Sequence, residues 1–495
     1  MPSRELALAL DLGTGGCKAS LWSHGGECVA ETSVSYPTMH PGPGLSEQRT
    51  SDWWDAVVTS TRRLLQLHPP GVGAISGIAL SGQSLGLVQL DARAQVIVDS
   101  TPIWSDTRGD GFTAGVFDSI EEGDWYARTG NGFPAGLYPI FKTAWLRSHR
   151  PEEWAATRHV VGSKDFINLA LTGVIATDHS YASGSGAYNL FTGSYDAEIL
   201  AAAGVPEGLL PEPRESTDVL GALTSDAARI LGLAAGIPVL AGGVDNACMA
   251  LGSRGTADGR VYAALGSSSW ITVTTAQPII DPATRPYVFR SAIPGLHVSA
   301  LSTFSSGTSL EWLRDIVAED QPTAQFITSG LNEPIGARGA LFLPMLSGGT
   351  PLEGGPQARG ALMGLELGQS SASLARAALE GIALALRRSF VELRKLGHFS
   401  GDLLISGGGA RHDGWNQLYS DVLGTPIVRT AVDHQAATLG AAAITFVGLG
   451  LWPDFSRADD PHDVIARFVP EAARQRDYDV VRQRFDAAMS FNNPQ

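Results

Sequence analysis

A chain of 495 residues, 44% hydrophobic and 17% charged, is too long for one core and too apolar to be disordered, so two large folded domains or more are expected. A formal charge of −15 with no basic run excludes a broad nucleic-acid surface, and anionic ligands must be held by local donors. Cys17, Cys28 and Cys248 show no paired spacing and no metal-ligand pattern; with no leader-like start and no run of about 18 apolar residues, a cytoplasmic chain with no membrane partner is expected.

Residues 5–11 and 17–22 read as strands around the turn Asp11-Leu12-Gly13-Thr14-Gly15-Gly16, and 27–35 as a third, giving an antiparallel start. Glycine and hydroxyl residues in such a turn can aim backbone N–H groups at an anion, although an ordinary hairpin uses the same residues. Asp11 would then serve a hard cation arriving with a phosphate. Lys18 reads equally as a point charge for that phosphate and as a surface lysine. The Pro/Gly-rich segment 36–44 reads as a rim loop, as does 347–359 further on. Ser51-Asp52 can cap a helix running to about residue 67, with strands at 74–80 and 86–91 and helices at 139–148 and 164–171.

Ser81-Gly82-Gln83 ends one strand and Ile103-Trp104-Ser105-Asp106-Thr107-Arg108 another, supplying an amide, an indole, a carboxylate and a guanidinium. Polyol recognition needs such a set; the plainer reading is an Asp106–Arg108 loop ion pair with a core Trp104. Ala241-Gly242-Gly243-Val244-Asp245-Asn246 puts a carboxylate between a strand and a helix. Asp245 could cap that helix, or act as a general base, with the paired glycines letting a ligand approach the backbone.

The strand–turn–strand pattern restarts at 261–265 and 270–275, around Gly266-Ser267-Ser268, so the sequence resets near residue 240 as an architectural repeat. Two such turns on facing domains make a phosphate clamp. Later come a helix at 370–396, a strand at 402–406 and Gly407-Gly408-Gly409-Ala410, then helices at 413–423, 435–447 and 471–489. The glycine run lacks the Gly-x-Gly-x-x-Gly spacing of a dinucleotide fingerprint; it suits a purine or ribose lying on flat backbone, or a plain turn.

These pieces, in this order, resemble the FGGY family of carbohydrate kinases, and within it the xylulokinase-like branch, over almost the whole chain. Further anchors are Asp178 in Ala176-Thr177-Asp178-His179-Ser180, Leu343-Pro344 with Arg359-Gly360, and the signature positions Pro139, Lys142 and Trp145. The resemblance implies an α/β chain of two ribonuclease-H-like (actin-like ATPase) domains, 1–240 and 241–495, flanking a deep cleft, with the last helix packing back on the first domain. It implies an ATP-dependent kinase acting on a ketopentose such as D-xylulose, with Asp245 as base and Asp11 holding Mg2+ through water. Gly13, Thr14, Gly15, Lys18, Gly266, Ser267, Ser268, Gly408, Gly409 and Ala410 would bind ATP. Gln83, Ser84, Leu85, Trp104, Asp106, Arg108 and Asn246 would bind the acceptor. A homodimer is compatible with it.

Xylulokinases usually carry Met-His after the Ser-Gly-Gln run, where this chain has Ser84-Leu85. Loss of an imidazole that would bond a sugar hydroxyl can change selectivity, so another ketose or polyol stays an alternative acceptor. An actin-like ATPase that phosphorylates no sugar is the alternative from a different class.

Overall fold

Leu6-Ala7-Leu8-Ala9-Leu10-Asp11-Leu12 alternates large and small side chains, so one strand can serve two unlike faces. The computed structural model describes residues 5–69 and 74–492. In it β1 (Leu6–Leu12), β2 (Gly16–Ser23) and β3 (Cys28–Ser35) form an antiparallel ribbon. Helix α1 (Thr50–Leu67) leads to β4 (Ile75–Gly82), parallel to β1. After α2 (Pro139–His149) and α3 (Ser163–Thr172) come β5 (Val219–Ala222), β6 (Pro238–Leu240) and β7 (Gly243–Val244). The sheet order is β5-β6-β4-β1-β2-β3, with β7 also parallel to β4. The β1 leucines pack with Trp53, Val57 and Leu64 of α1 and Ile167 of α3. The start of α1 is held by Asp99, whose Oδ1 accepts from Thr50 Oγ1 at 2.7 Å and Ser51 N–H at 2.9 Å, and not by the expected Ser51-Asp52 cap.

The second sheet repeats the plan. Helix α4 (Asp245–Leu251) is followed by β8 (Arg260–Leu265), β9 (Ser269–Thr275), β10 (Tyr287–Arg290), β11 (His297–Thr303), α5 (Gly307–Val317) and α6 (Thr323–Leu331). Then come α7 (Ser371–Leu396), β12 (Ser400–Ser406), α8 (Asp413–Leu423), β13 (Ile427–Thr430), α9 (Ala436–Gly448), β14 (Val464–Phe468) and α10 (Ala472–Asn492). Strand order is β10-β11-β9-β8-β12-β13-β14, with β8 antiparallel to β9 and parallel to β12, as β1 is to β2 and β4. The repeat read from the sequence is thus present as repeated strand order.

Two helices cross between the halves. Ala250 of α4 packs with Tyr262, Val298 and Leu404 of the second sheet, while α9 lies over Ala7, Ala9 and Ala79 of the first. Alanines on both sides permit that close approach. Where α9 meets α4, a Cβ on Gly440 would stand 2.1 Å from the Cys248 carbonyl oxygen, so only glycine fits. It is therefore α9, and not the last helix, that packs back on the first half. Helix α10 presents one apolar stripe, Tyr478, Val481, Phe485 and Met489, to the second core, and its outer side carries mostly charged residues with Val480 exposed among them. A division at 240/241 falls between β6 and β7, which both pair with β4; the second sheet begins only at Arg260. The outer limits read for the domains, residues 1 and 495, lie outside the described residues.

Candidate active site

Three neighbouring strands of the first sheet end at one edge. The register sets Asp11 beside Ser81 and Ser81 beside Gly243, so Asp11, Gln83 and Asp245 leave the sheet together. Ser81 Oγ donates to Asp11 Oδ1 at 2.7 Å; burial still raises the Asp11 carboxyl above its ordinary range, against that bond and the charge of Lys18. Burial first, and the nearby Asp11 second, push the Asp245 carboxyl up to about 7, although Asn246 N–H donates to its Oδ1 at 2.8 Å. Asp245 is the first residue of α4, and by accepting the Asn246 N–H its carboxylate also satisfies a first-turn donor, so the capping reading holds alongside the catalytic one. The glycines before it serve packing, because Gly242 (φ +74°) would place a Cβ 2.2 Å from the Leu80 carbonyl oxygen. The backbone leading to Asp245 is also fixed: Val244 N–H donates to Ser180 Oγ at 2.9 Å and Ser180 Oγ to Asp178 Oδ2 at 2.5 Å. Lys164 Nζ stands 3.0 Å from Asp178 Oδ1.

The first turn closes by Gly13 N–H donating to the Gly16 carbonyl at 3.0 Å, and Tyr36 donates its hydroxyl to the Gly13 carbonyl. Gly15 faces open space, with nothing within 4 Å of where a Cβ would stand. Lys18 does not lie free for a phosphate: its Nζ donates to the His434 carbonyl at 2.6 Å, tying β2 to the segment before α9.

The second turn closes by Gly266 N–H donating to the Ser268 carbonyl at 3.0 Å. It abuts the start of α5, whose Gly307 N–H donates to the Gly266 carbonyl at 3.0 Å and Thr308 N–H to the Ser267 carbonyl at 3.2 Å. A pocket of ≈ 380 Å³ opens between this turn, α5 and Gly408-Gly409, with Leu310, Ile327 and Trp415 as apolar wall and Glu311 and His412 as polar groups. Gly408 has nothing within 4 Å of an added Cβ, so its face is available to a ligand. Ala410 is buried and does not line the pocket; its carbonyl accepts from Asn416 Nδ2 at 2.7 Å.

The residues expected to bind an acceptor divide into exposed and enclosed. Trp104 is 39% exposed, and its Nε1 donates to Thr14 Oγ1 at 2.9 Å, so it is no core residue. Asp106 is enclosed and cannot be a direct sugar ligand in this arrangement: its oxygens take Ser46 N–H, Arg108 N–H and the Arg108 guanidinium. Burial would raise its carboxyl, but Arg108 and the Ser46 N–H hold it below the ordinary range. Arg108 also reaches Glu47 at 2.5 Å and lies 4.7 Å from the Trp145 ring centroid. The loop ion pair is therefore real, and it includes Glu47.

Gln83 is buried; its Nε2 donates to Gln48 Oε1 at 2.8 Å, and its Oε1 has no protein partner. Ser84 is buried beside it, and Leu85 (φ 57°) packs in the cluster with Phe133, Tyr287 and Phe289. Beneath both loops Lys142 donates to the Leu85 carbonyl at 3.2 Å and the Ile103 carbonyl at 2.6 Å, and burial lowers its ammonium to about 7. Asn246 is half-buried next to Asp245. Glu47, Gln48 and the scaffold role of Lys142 escaped sequence reasoning; the one visible signal was a lysine inside the otherwise apolar turn Pro139-Ile140-Phe141.

Among the described residues no group of three or more His, Cys, Asp or Glu side chains gathers as a metal cage. A carboxylate with one oxygen bonded and burial raising its pKa, as at Asp11, fits a hard cation held mostly by water and phosphate. A larger cavity of ≈ 940 Å³, between Tyr195, Leu200, Glu207 and Arg214, contains none of these residues. No helix among the described residues is long and apolar enough to cross a membrane.

Residues 6–252 match the N-terminal domain, and 261–449 the C-terminal domain, of the FGGY family of carbohydrate kinases. The xylulose kinase of Bacillus subtilis (strain 168) is 28% identical over 476 residues, 96% of this chain and 94% of that protein. A gluconokinase of the same organism is 26% identical over 485 residues, covering 95% and 93%. The crystal structure of xylulose kinase from Rhodospirillum rubrum superposes with a TM-score of 0.89 at 28% identity, covering 98% of this chain and 99% of that one.

Proposed function

This chain belongs to the FGGY family of carbohydrate kinases and is a phosphotransferase with an alcohol acceptor, and we propose that it moves the γ-phosphoryl group of ATP to a hydroxyl of a ketopentose such as D-xylulose. The observation that carries the mechanism is the position and basicity of Asp245: a carboxylate pushed up to about 7, beside Asp11 and next to the acceptor loops. Such a group can take the proton of an attacking hydroxyl as the new O–P bond forms and the bond to the ADP leaving group breaks. Val244, Ser180 and Asp178 hold it in place. The open face of Gly15 and the turn at Gly266-Ser267-Ser268 would cradle the phosphates, and the Gly408-Gly409 pocket would take the adenosine. Asp11 would hold Mg2+, which when bound neutralises phosphate charge. Because the base must be ionised, turnover limited by Asp245 falls on the acid side, and Mg2+ on Asp11 would lower the pH at which it does so by offsetting the Asp11 charge that helps raise the Asp245 carboxyl.

Leu85 favours keeping a second acceptor class in view. Its side chain sits among aromatics and offers no hydrogen bond, and a relative of similar coverage is named gluconokinase. The deciding experiment is ADP release with MgATP against D-xylulose, other ketoses, polyols and D-gluconate, run beside Asp245→Asn. Stimulation by one acceptor, abolished in the variant, supports both substrate and base. Basal hydrolysis with no acceptor response would favour an ATPase of another kind.

A further inference from the structure

Gln48 has no role in the phosphate turn or the acceptor wall as described above, yet its side chain joins them. It lies in the short strand Glu47–Arg49 ahead of α1 and is fully buried. Its Oε1 accepts from Trp53 Nε1 at 2.9 Å and Gln83 Nε2 at 2.8 Å; its Nε2 donates to the Thr14 carbonyl at 2.7 Å and to Thr38 Oγ1 at 2.8 Å. The amide's two donors and its acceptor oxygen are thus all engaged, and it cannot shift toward one partner without loosening another.

Trp53 anchors it to α1, and the other three partners belong to three different parts of the site. Gln83 is on the acceptor loop, with its Oε1 buried and unpartnered; Thr14 is in the phosphate turn; Thr38 is in the segment 36–44. A second link runs in parallel, because Trp104 Nε1 of the acceptor segment donates to Thr14 Oγ1 at 2.9 Å. The neighbouring Glu47 anchors that same segment through Arg108 at 2.5 Å.

We propose that Gln48 is a positioning residue that couples acceptor binding to the phosphate turn, so that an acceptor hydroxyl engaging Gln83 tightens the hold of the turn on nucleotide. The inference rests on the kinase reading given above. A purely structural Gln48 would lower stability on substitution and leave the coupling between the two ligands untouched.

The experiment is calorimetric binding of Mg2+ with a non-hydrolysable ATP analogue, with and without D-xylulose, or with whichever member of the acceptor panel stimulates ADP release. The coupling factor is the ratio of the two dissociation constants, and measuring acceptor affinity with and without the analogue must return the same factor. A factor of about ten is expected for the wild type, within the ordinary range for coupled sites, and below about two for Gln48→Met. Loss of coupling with each ligand's separate affinity less affected supports the proposal. A wild-type factor of one, or an unchanged factor in a folded Gln48→Met, overturns it. Should Gln48→Met not fold, Gln48→Glu decides, since it keeps the side chain's shape and the oxygen that accepts from Trp53 and Gln83 and removes the donor to the Thr14 carbonyl: a coupling factor at least about threefold below wild type supports the proposal, and an unchanged one overturns it. If no acceptor stimulates the wild type, the kinase reading fails first, before any variant is made, and this inference with it.

Discussion

The two halves place their functional loops at the same strand ends and furnish them differently. At the end of β4 the first half offers Gln83, locked by Gln48; at the matching end of β12 the second offers Gly407-Gly408-Gly409 and bare backbone. The first turn is braced by the side chains of Tyr36, Gln48 and Trp104, whereas the second leans on the first N–H groups of α5. Side chains read stereochemistry, and backbone N–H groups read phosphate whatever it is attached to. One duplicated plan can thus present an acceptor-selective wall opposite a generic donor wall.

The largest effect is expected at Asp245, the base of the proposed transfer. Asp245→Asn should cost about 100- to 10,000-fold in turnover with the fold retained, as measured by steady-state kinetics beside a thermal melt. Lys142→Met comes next and acts on the acceptor wall alone. With the Leu85 and Ile103 carbonyls deprived of their donor, the acceptor KM should rise about tenfold or more while the ATP KM stays near wild type. The same variant has a pH signature. Lys142 titrates at about 7 when folded and in the ordinary lysine range when unfolded, so the unfolded chain binds more protons between those values. Wild-type stability therefore gains a rising component from about pH 7 to 10.5, and Lys142→Met should lack it in denaturant titrations across that window.

The donor wall should respond in the opposite sense. Gly408→Ala meets no protein atom within 4 Å, so it should raise the ATP KM about tenfold with no change in melting temperature. Gly407→Ala, one residue away at φ +95° and 2.7 Å from the Leu265 carbonyl oxygen, should instead destabilise by about 1–3 kcal/mol. The smallest effect is expected at Lys18→Met. Its bond to the His434 carbonyl predicts an ATP KM within about twofold of wild type, and a tenfold rise would restore it to the phosphate site.

What the sequence disclosed follows the same division. The glycine turns, the strand pairs beside them and the helix at 370–396 are written in adjacent residues, so short-range rules find them, and Asp245 is marked by its place between strand and helix. The acceptor wall is built from residues far apart in the chain: Gln48 meets Thr14 and Gln83, 34 and 35 positions away, and Arg108 meets Glu47 across 61. No local pattern reports such pairs, and a buried glutamine looks like any surface glutamine until its partners are known. The bland reading of Asp106 and Arg108 and the ligand reading were likewise inseparable, because the same two charges satisfy both. The crossing of α9 was hidden because an alanine-rich helix fits either sheet; the matching Ala7, Ala9 and Ala79 face decides it.

That crossing fixes an order of events during synthesis. All the strands of the first sheet have been synthesised once Val244 is made, yet the helix that covers its alanine face starts at Ala436. For the nearly 200 residues between, one apolar side of a finished sheet waits for its lid, a species open to chaperones and to mispairing with other nascent chains. Chains released before residue 436 should therefore aggregate where the full-length product folds.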